Sequence, residues 1–141
     1  MELNKEKLEI LKQSINKIES TFIADSFLIN LIRVNEDVEI WIIKSINAKF
    51  IATSTSYIYN DDDDNILFCS LRVEEKYRNS KIATKMINFH LELAKLLNRN
   101  SYLTASEGSW MQGWYERLGY KEVTDADYEA KEGYIWMSKN I

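Results

Sequence analysis

The sequence predicts a mixed α/β domain: a twisted, mostly antiparallel sheet with a central parallel strand–helix–strand unit and flanking helices. Three observations carry this. Ile66 to Val73 is an apolar run too short for a globular helix and too continuous for a half-exposed strand, the pattern of a strand buried on both faces. After the turn Glu74-Glu75-Lys76-Tyr77-Arg78-Asn79-Ser80 the period becomes helical over 80–98. Ile82, Met86, Phe89, Leu93 and Leu96 make one apolar row, and Ala83, Ile87, His90, Ala94 and Leu97 the next; Thr84, Lys85, Asn88, Glu92 and Lys95 face water. Asn98-Arg99-Asn100 ends the helix, and Ser101 to Ala105 reads as a second strand. Strand, crossover helix and strand join as a right-handed parallel unit.

The other elements follow in order. Leu8, Leu11, Ile15, Ile18 and Phe22 step by three and four, which predicts an amphipathic helix from about Asn4 to Ser20, with Asn4 as cap and Glu6 in the first turn. Its polar face mixes Lys and Glu, which fits core packing better than a membrane surface. Phe27 to Val34 fits a strand better than a helix. Val38 to Lys44 and Lys49 to Tyr59 are further strands, joined by short turns into an antiparallel meander. The carboxylate run Asp61 to Asp64 reads as a solvated loop, with a site for a cationic acceptor or a metal as the alternative. Past residue 105, Ser106 or Ser109 caps a short helix reaching Leu118, and Gly119 stops it. Residues 120–124 and 133–138 are closing strands around a polar connection, Asp125 to Glu132. Trp110, Trp114, Tyr115 and Tyr120 are most simply core aromatics, and their density also suits the wall of a pocket.

Composition narrows the function. A chain of 141 residues reads as one domain, 1–141, with ordinary globular content of 45% hydrophobic and 28% charged residues. A net charge of −4 argues against an electrostatic grip on nucleic acid and mildly favours cationic partners. One cysteine, Cys69, and one histidine, His90, exclude an internal disulfide and a Cys/His metal cluster. His90 falls in the middle of the buried helix face and reads as a hydrogen-bonded core histidine; Cys69 reads as an inert buried thiol. With no signal-peptide pattern and no spanning apolar run, the cytoplasm is the expected compartment, and no membrane partner is expected.

The chemistry is expected where the first parallel strand becomes the helix. A helix start leaves backbone N–H groups unpaired and carries partial positive charge, so it suits an anion. Arg78, Lys81 and Lys85 crowd cations at that end, which makes sense when an anion sits among them. Arg78-Asn79-Ser80-Lys81-Ile82-Ala83-Thr84 resembles motif A of the GNAT superfamily of N-acetyltransferases, written Arg/Gln-x-x-Gly-x-Gly/Ala. Arg78 and Ala83 match, and Lys81 stands in for the first glycine. Trp114-Tyr115-Glu116-Arg117-Leu118-Gly119-Tyr120 resembles the family's motif B, in its expected place beyond the second strand. The two ordered motifs span residues 66–124.

The resemblance implies a GNAT-like fold that uses acetyl-coenzyme A as co-substrate. It implies a pyrophosphate wrapped by residues 78–84 (Arg78, Asn79, Ser80, Lys81, Ile82, Ala83 and Thr84), and a pantetheine arm bonded to the backbone of Leu71 and Val73. The acceptor would be a primary amine, on a small molecule or a protein; a homodimer is left open. An amine near pKa 10.4 is almost wholly protonated at neutral pH, at a cost of about 4–5 kcal/mol for attack. A base is therefore wanted, and the central strand holds no carboxylate. Glu107 is the candidate base, against a plain surface glutamate. Tyr115 occupies the family's general-acid position, against a purely structural aromatic. Two other classes compete: a non-catalytic acyl-coenzyme A or partner-binding module, and, less well on charge, an enzyme acting on aminoacyl-tRNA.

Overall fold

The computed structural model describes residues 5–24, 27–78, 80–124 and 130–141, with side chains in the first stretch from 6 to 19. Chain order is α1 (Lys5–Ala24), β1 (Phe27–Val34), β2 (Asp37–Ile46), β3 (Lys49–Ile58), β4 (Asn65–Val73), a one-turn 3-10 helix (Glu75–Tyr77), α2 (Ile82–Leu97), β5 (Asn100–Ser106), α3 (Trp110–Arg117), β6 (Lys121–Val123) and β7 (Tyr134–Lys139). Among the described residues the strands form one sheet in the order β1-β2-β3-β4-β5-β7-β6. All neighbours are antiparallel except β4 and β5, which run parallel as expected.

The sheet has two unlike faces because side chains alternate along each strand. Val38, Ile40 and Ile42 of β2, Ile66 and Phe68 of β4, and Leu103 of β5 point to one face and are buried there. Leu11, Ile15 and Ile18 of α1 and Ile82, Met86, Phe89 and Leu93 of α2 close that face into the main core. Tyr115 and Tyr120 pack with Ile87, Leu103 and Met137 in a second cluster beside it. The proposed cap Asn4 and the side chain of Phe22 lie outside the described residues.

Three expectations fail on burial. The stretch 66–73 is not buried on both faces: only Ile66 and Phe68 are buried, and Ser70 and Arg72 are exposed. Its apolar residues instead alternate between the core and the opposite face, as on a strand covered by helices on one side. Leu96 and Trp110 are also exposed, Trp110 by 74%. The helical row that includes Leu96 drifts off the buried stripe at its last turn, and Trp110 is the first residue of α3, on the side away from the core.

Local chemistry places the ends of the elements. Asn98 adopts a left-handed conformation (φ 55°) at the end of α2, and Ser109 Oγ accepts the Gln112 N–H at 3.3 Å to cap α3. Gly119 has φ 98° just after α3, where a Cβ would also meet the Lys139 side chain at 3.2 Å. The acidic loop is organised as well as solvated. Arg99, buried, donates through Nη1 to the carbonyls of Asp62 (2.6 Å) and Asn65 (3.0 Å). Asp62 Oδ1 takes the Asp64 and Asn65 N–H groups, and Lys7 pairs with Asp63. The loop is thereby clasped to the start of β5.

A buried polar chain crosses the core. His90 Nδ1 and Ser56 Oγ of β3 are 2.8 Å apart, His90 Nε2 and Ser101 Oγ of β5 2.6 Å, and Ser101 Oγ and Tyr120 Oη 2.6 Å. This is the hydrogen-bonded core histidine the sequence suggests. Full burial pushes its pKa down to about 3. An unfolded histidine titrates near 6.5, so the unfolded chain binds a proton that the folded one refuses. Stability from this site is therefore complete above about pH 6.5 and is lost as pH falls towards 3, by about 1.4 kcal/mol per pH unit. We expect His90→Leu to lower the melting temperature at pH 7 yet flatten its decline between pH 6 and 4. Parallel melting curves for the two proteins over that range would show that the site does not set acid sensitivity.

Candidate active site

The site begins where β4 parts from β5. The two strands pair only at Asn65/Asn100, Ile66/Ser101 and Leu67/Tyr102. Beyond Leu67 no pairing joins them among the described residues, and the sheet opens into a gap. A bulge lies at its margin. Thr55 faces Cys69 and Thr53 faces Arg72, so Ser54 alone opposes both Ser70 and Leu71, and Ser70 has φ 55°. An extra residue of this kind bends and twists its strand. Glu74 N–H donates to the Ile51 carbonyl at 2.9 Å, on the β3 side. Successive residues of a ladder turn their N–H and C=O to opposite edges, so Val73 turns its own towards the gap. Leu71 follows the bulge directly.

The chain then leads from the gap to the start of α2. Arg78 Nε donates to the Val73 carbonyl at 3.1 Å, which folds the guanidinium back against the strand end. Ser80 Oγ donates to the Tyr77 carbonyl. Lys81, exposed, is the residue before the helix and is left-handed (φ 66°, ψ 13°), with no side-chain cap. The motif it resembles has glycine there, and glycine enters that conformation without a Cβ conflict. The Ile82, Ala83 and Thr84 N–H groups lie in the first turn, without partners inside the helix. Ile82 is buried in the core, Ala83 and Thr84 are half-buried, and Asn79 lies outside the described residues.

The remaining site residues come from beyond β5. Tyr115 is 4% exposed, its ring 5.1 Å from Trp114 and 5.7 Å from Tyr120. Burial first, and Tyr120 second, raise its pKa well above that of a free phenol. Its hydroxyl has no hydrogen bond among the described residues, yet it is not among the fully enclosed polar atoms that lack one. Tyr120, whose pKa burial pushes up to about 12, is held by Ser101. Glu107 is exposed at the end of β5, its N–H bonded to the Gly133 carbonyl at 2.9 Å. Cys69 sits beside the bulge, its thiol pKa raised by burial. Two surface concavities lie elsewhere, one between α3 and β6 and one beside α2, and both are shallow and rimmed by charged residues.

Sequence reasoning missed the bulge at Ser70 and the polar groups on the face opposite the helices. The hydroxyl of Ser70 amid the apolar residues 66–71 was a signal for the first. Nothing in the sequence marked the second.

A sheet that splits beside an open, cation-flanked helix start suits an anionic ligand with a long extended arm. The chain belongs to the Acetyltransferase (GNAT) domain family, which it matches over residues 36–122. Its fold is like that of an acetyltransferase from Streptococcus agalactiae (TM-score 0.64, 17% identity, 92% of this chain and 76% of that one). Escherichia coli ElaA is similar at TM-score 0.59 and 20% identity, covering 99% of this chain and 93% of that one. A GNAT family acetyltransferase from Elizabethkingia anophelis, solved with acetyl-CoA bound, matches at TM-score 0.60 and 12% identity, over 83% of this chain and 99% of that one. No curated protein matches the chain. Membership of that family defines an acyltransferase, and the family uses acyl-coenzyme A.

The left-handed lysine is directly testable. A side chain in that conformation costs about 1–2 kcal/mol, more when β-branched, while glycine adds back about 0.5–1 kcal/mol of unfolded-chain entropy. Lys81→Gly should leave the melting temperature unchanged or slightly raised, and Lys81→Val should lower it by about 1–2 kcal/mol of stability. The reverse order in urea titrations would mean that Lys81 is not held left-handed.

Proposed function

We propose that this protein is an N-acetyltransferase that moves an acetyl group from acetyl-coenzyme A to a primary amine of a small molecule or a protein by direct attack. The observation that carries this reading is the gap between β4 and β5 opening beside the N-terminus of α2, which no side chain caps among the described residues. The residues present fit the co-substrate. Val73 turns backbone groups to the gap and Leu71 adjoins it, which suits an extended amide-bearing arm. Arg78 and Lys81 add charge beside the first-turn N–H groups, as a pyrophosphate requires. Ser80 precedes the helix, Ile82, Ala83 and Thr84 form its first turn, and Asn79, outside the described residues, belongs to the same proposed set.

Acetyl-coenzyme A supplies an activated thioester, whose acetyl group passes to the amine nitrogen as the carbon–sulfur bond breaks and free thiol leaves. The amine must give up a proton, and Glu107, exposed at the end of β5, accepts it. The departing sulfur must gain one. Tyr115 is protonated at neutral pH, as any phenol is, and burial raises its pKa further, so its hydroxyl carries a proton to donate. The same burial makes it a weaker acid than a free phenol, which places its contribution at the low end for a general acid, ~10²-fold.

Two measurements test this reading. Charge-assisted phosphate contacts contribute about 1.5–3 kcal/mol each, so Arg78→Ala with Lys81→Ala should weaken acetyl-coenzyme A binding more than tenfold in calorimetric titration. Equal affinities would reject the phosphate site. Tyr115→Phe keeps the ring and removes the proton; steady-state thiol release should fall by ~10²-fold with co-substrate affinity and melting temperature nearly unchanged. A variant that keeps more than half its turnover would remove Tyr115 from the chemistry.

A further inference from the structure

The face of the sheet opposite the helices carries polar chemistry that the acetyl-transfer reading leaves unused. No described helix covers it. The strand registers align Asn30, Trp41, Thr55 and Cys69 in one cross-strand row, and Ile32, Glu39, Tyr57 and Leu67 in the next. The first row runs straight to the bulge at Ser70. Glu39 Oε2 accepts the Trp41 indole N–H at 2.8 Å, and no cation pairs with Glu39 among the described residues. Asp37, by contrast, is taken by the Tyr57 hydroxyl and the Asn60 N–H, both at 2.8 Å. Burial, together with the Asp37 bond, pushes the Tyr57 pKa up to about 12.

A second observation on the same face points to a ligand. Two enclosed side-chain polar atoms lack a hydrogen-bond partner among the described residues, Thr55 Oγ1 and Trp136 Nε1. Thr55 is 2% exposed. Leu67 aligns with Tyr102 and Thr104 with Trp136, so Trp136 stands on this face too, on the far bank of the gap. Unmade hydrogen bonds of enclosed groups are costly and are ordinarily satisfied. Here both lie on the strands next to β4 and β5, one on each side of the opening.

We propose that this face binds the acceptor, and that the acceptor is a diamine whose distal ammonium pairs with Glu39 while its other amine reaches the bulge. The proposal rests on the acetyltransferase reading for the identity of the reacting end. Glu39 on β2 lies two strand spacings from β4, and its row meets β4 at Leu67, three residues before Ser70, so the backbone diagonal to the bulge is roughly 14 Å, which the Glu39 side chain and an extended alkyl diamine bridge together. Trp41 and Tyr57 flank that path with aromatic surface for the methylenes, and the enclosed Thr55 Oγ1 lies beneath it, midway. Charge sets the direction. Arg72, exposed on this face beyond the bulge, disfavours a protonated amine near it, and Glu39 favours one at the other end.

The test compares hexamethylenediamine with hexylamine at saturating acetyl-coenzyme A. Wild type should show at least tenfold higher kcat/KM for the diamine. Glu39→Gln retains an acceptor for the Trp41 N–H and should raise the KM for the diamine at least tenfold, leaving kcat and the hexylamine kinetics nearly unchanged. Equal use of both amines by wild type, or equal loss on both in the variant, would overturn the proposal. Calorimetric titration of the diamine into the coenzyme A-loaded protein separates this from the reaction itself. Binding that Glu39→Gln abolishes supports the site even where no thiol is released, in which case acetyl transfer is what fails. No binding to wild type overturns the site.

Discussion

Everything proposed for this protein depends on two parallel strands that stay together for three residue pairs and then separate. A continuous β4–β5 ladder would pair the backbone groups of β4 and leave no room between the strands. Both ends of the split are held. At the closed end, Arg99 ties the 61–65 loop to the start of β5, and Asn100 N–H bonds the Asp64 carbonyl at 2.7 Å. At the open end, the bulge at Ser70 turns β4 while β5 stays paired with β7. Between them, the Ser56–His90–Ser101–Tyr120 chain links β3 to β5 across the core. Such a chain is favourable because every member is satisfied, and a half-made one in the same place would be strongly destabilising.

The start of α2 shows a second compromise. A glycine before the helix would relieve backbone strain and let an anion approach closely. Lysine accepts the strain and offers a mobile ammonium at the positive end of the helix dipole, where cations repel one another unless an anion joins them. Arg78 is steadied by the Val73 carbonyl, so the guanidinium is held at the strand end, with no carboxylate partner among the described residues. Strand end and helix start thus form one electropositive corner.

The two sheet faces divide the remaining work. The helix side is dry and closed by α1 and α2, with Tyr115 and Tyr120 packed beside them. The other side is half-exposed, aromatic and hydroxylated, and it holds both enclosed polar atoms without partners. A β-sheet covered by helices on one face only can carry such a surface, because its strands need one apolar face for stability and leave the other to chemistry.

Much of this was legible in the sequence, because local rules decide it. The 3.6-residue period set α1 and α2, Gly119 and Asn98 marked helix ends, and Ser109 capped α3 as its side chain allows. The two motifs located the helix start and the tyrosine that frame the proposed chemistry, and His90 was recognisable as a core histidine from its place in the apolar row. What the sequence did not reveal depends on pairing between distant strands. Whether 66–73 was buried on one face or two turned on which elements covered it, and nothing local to those residues says so. Ser70 becomes a bulge only against Ser54 of β3, and the gap exists only because β5 follows β7 rather than β4. Glu39, Trp41 and Thr55 look unrelated along the chain, and become neighbours through a register that the whole meander sets. Period and capping are properties of a few consecutive residues; alignment across strands is decided by the packing of the entire core.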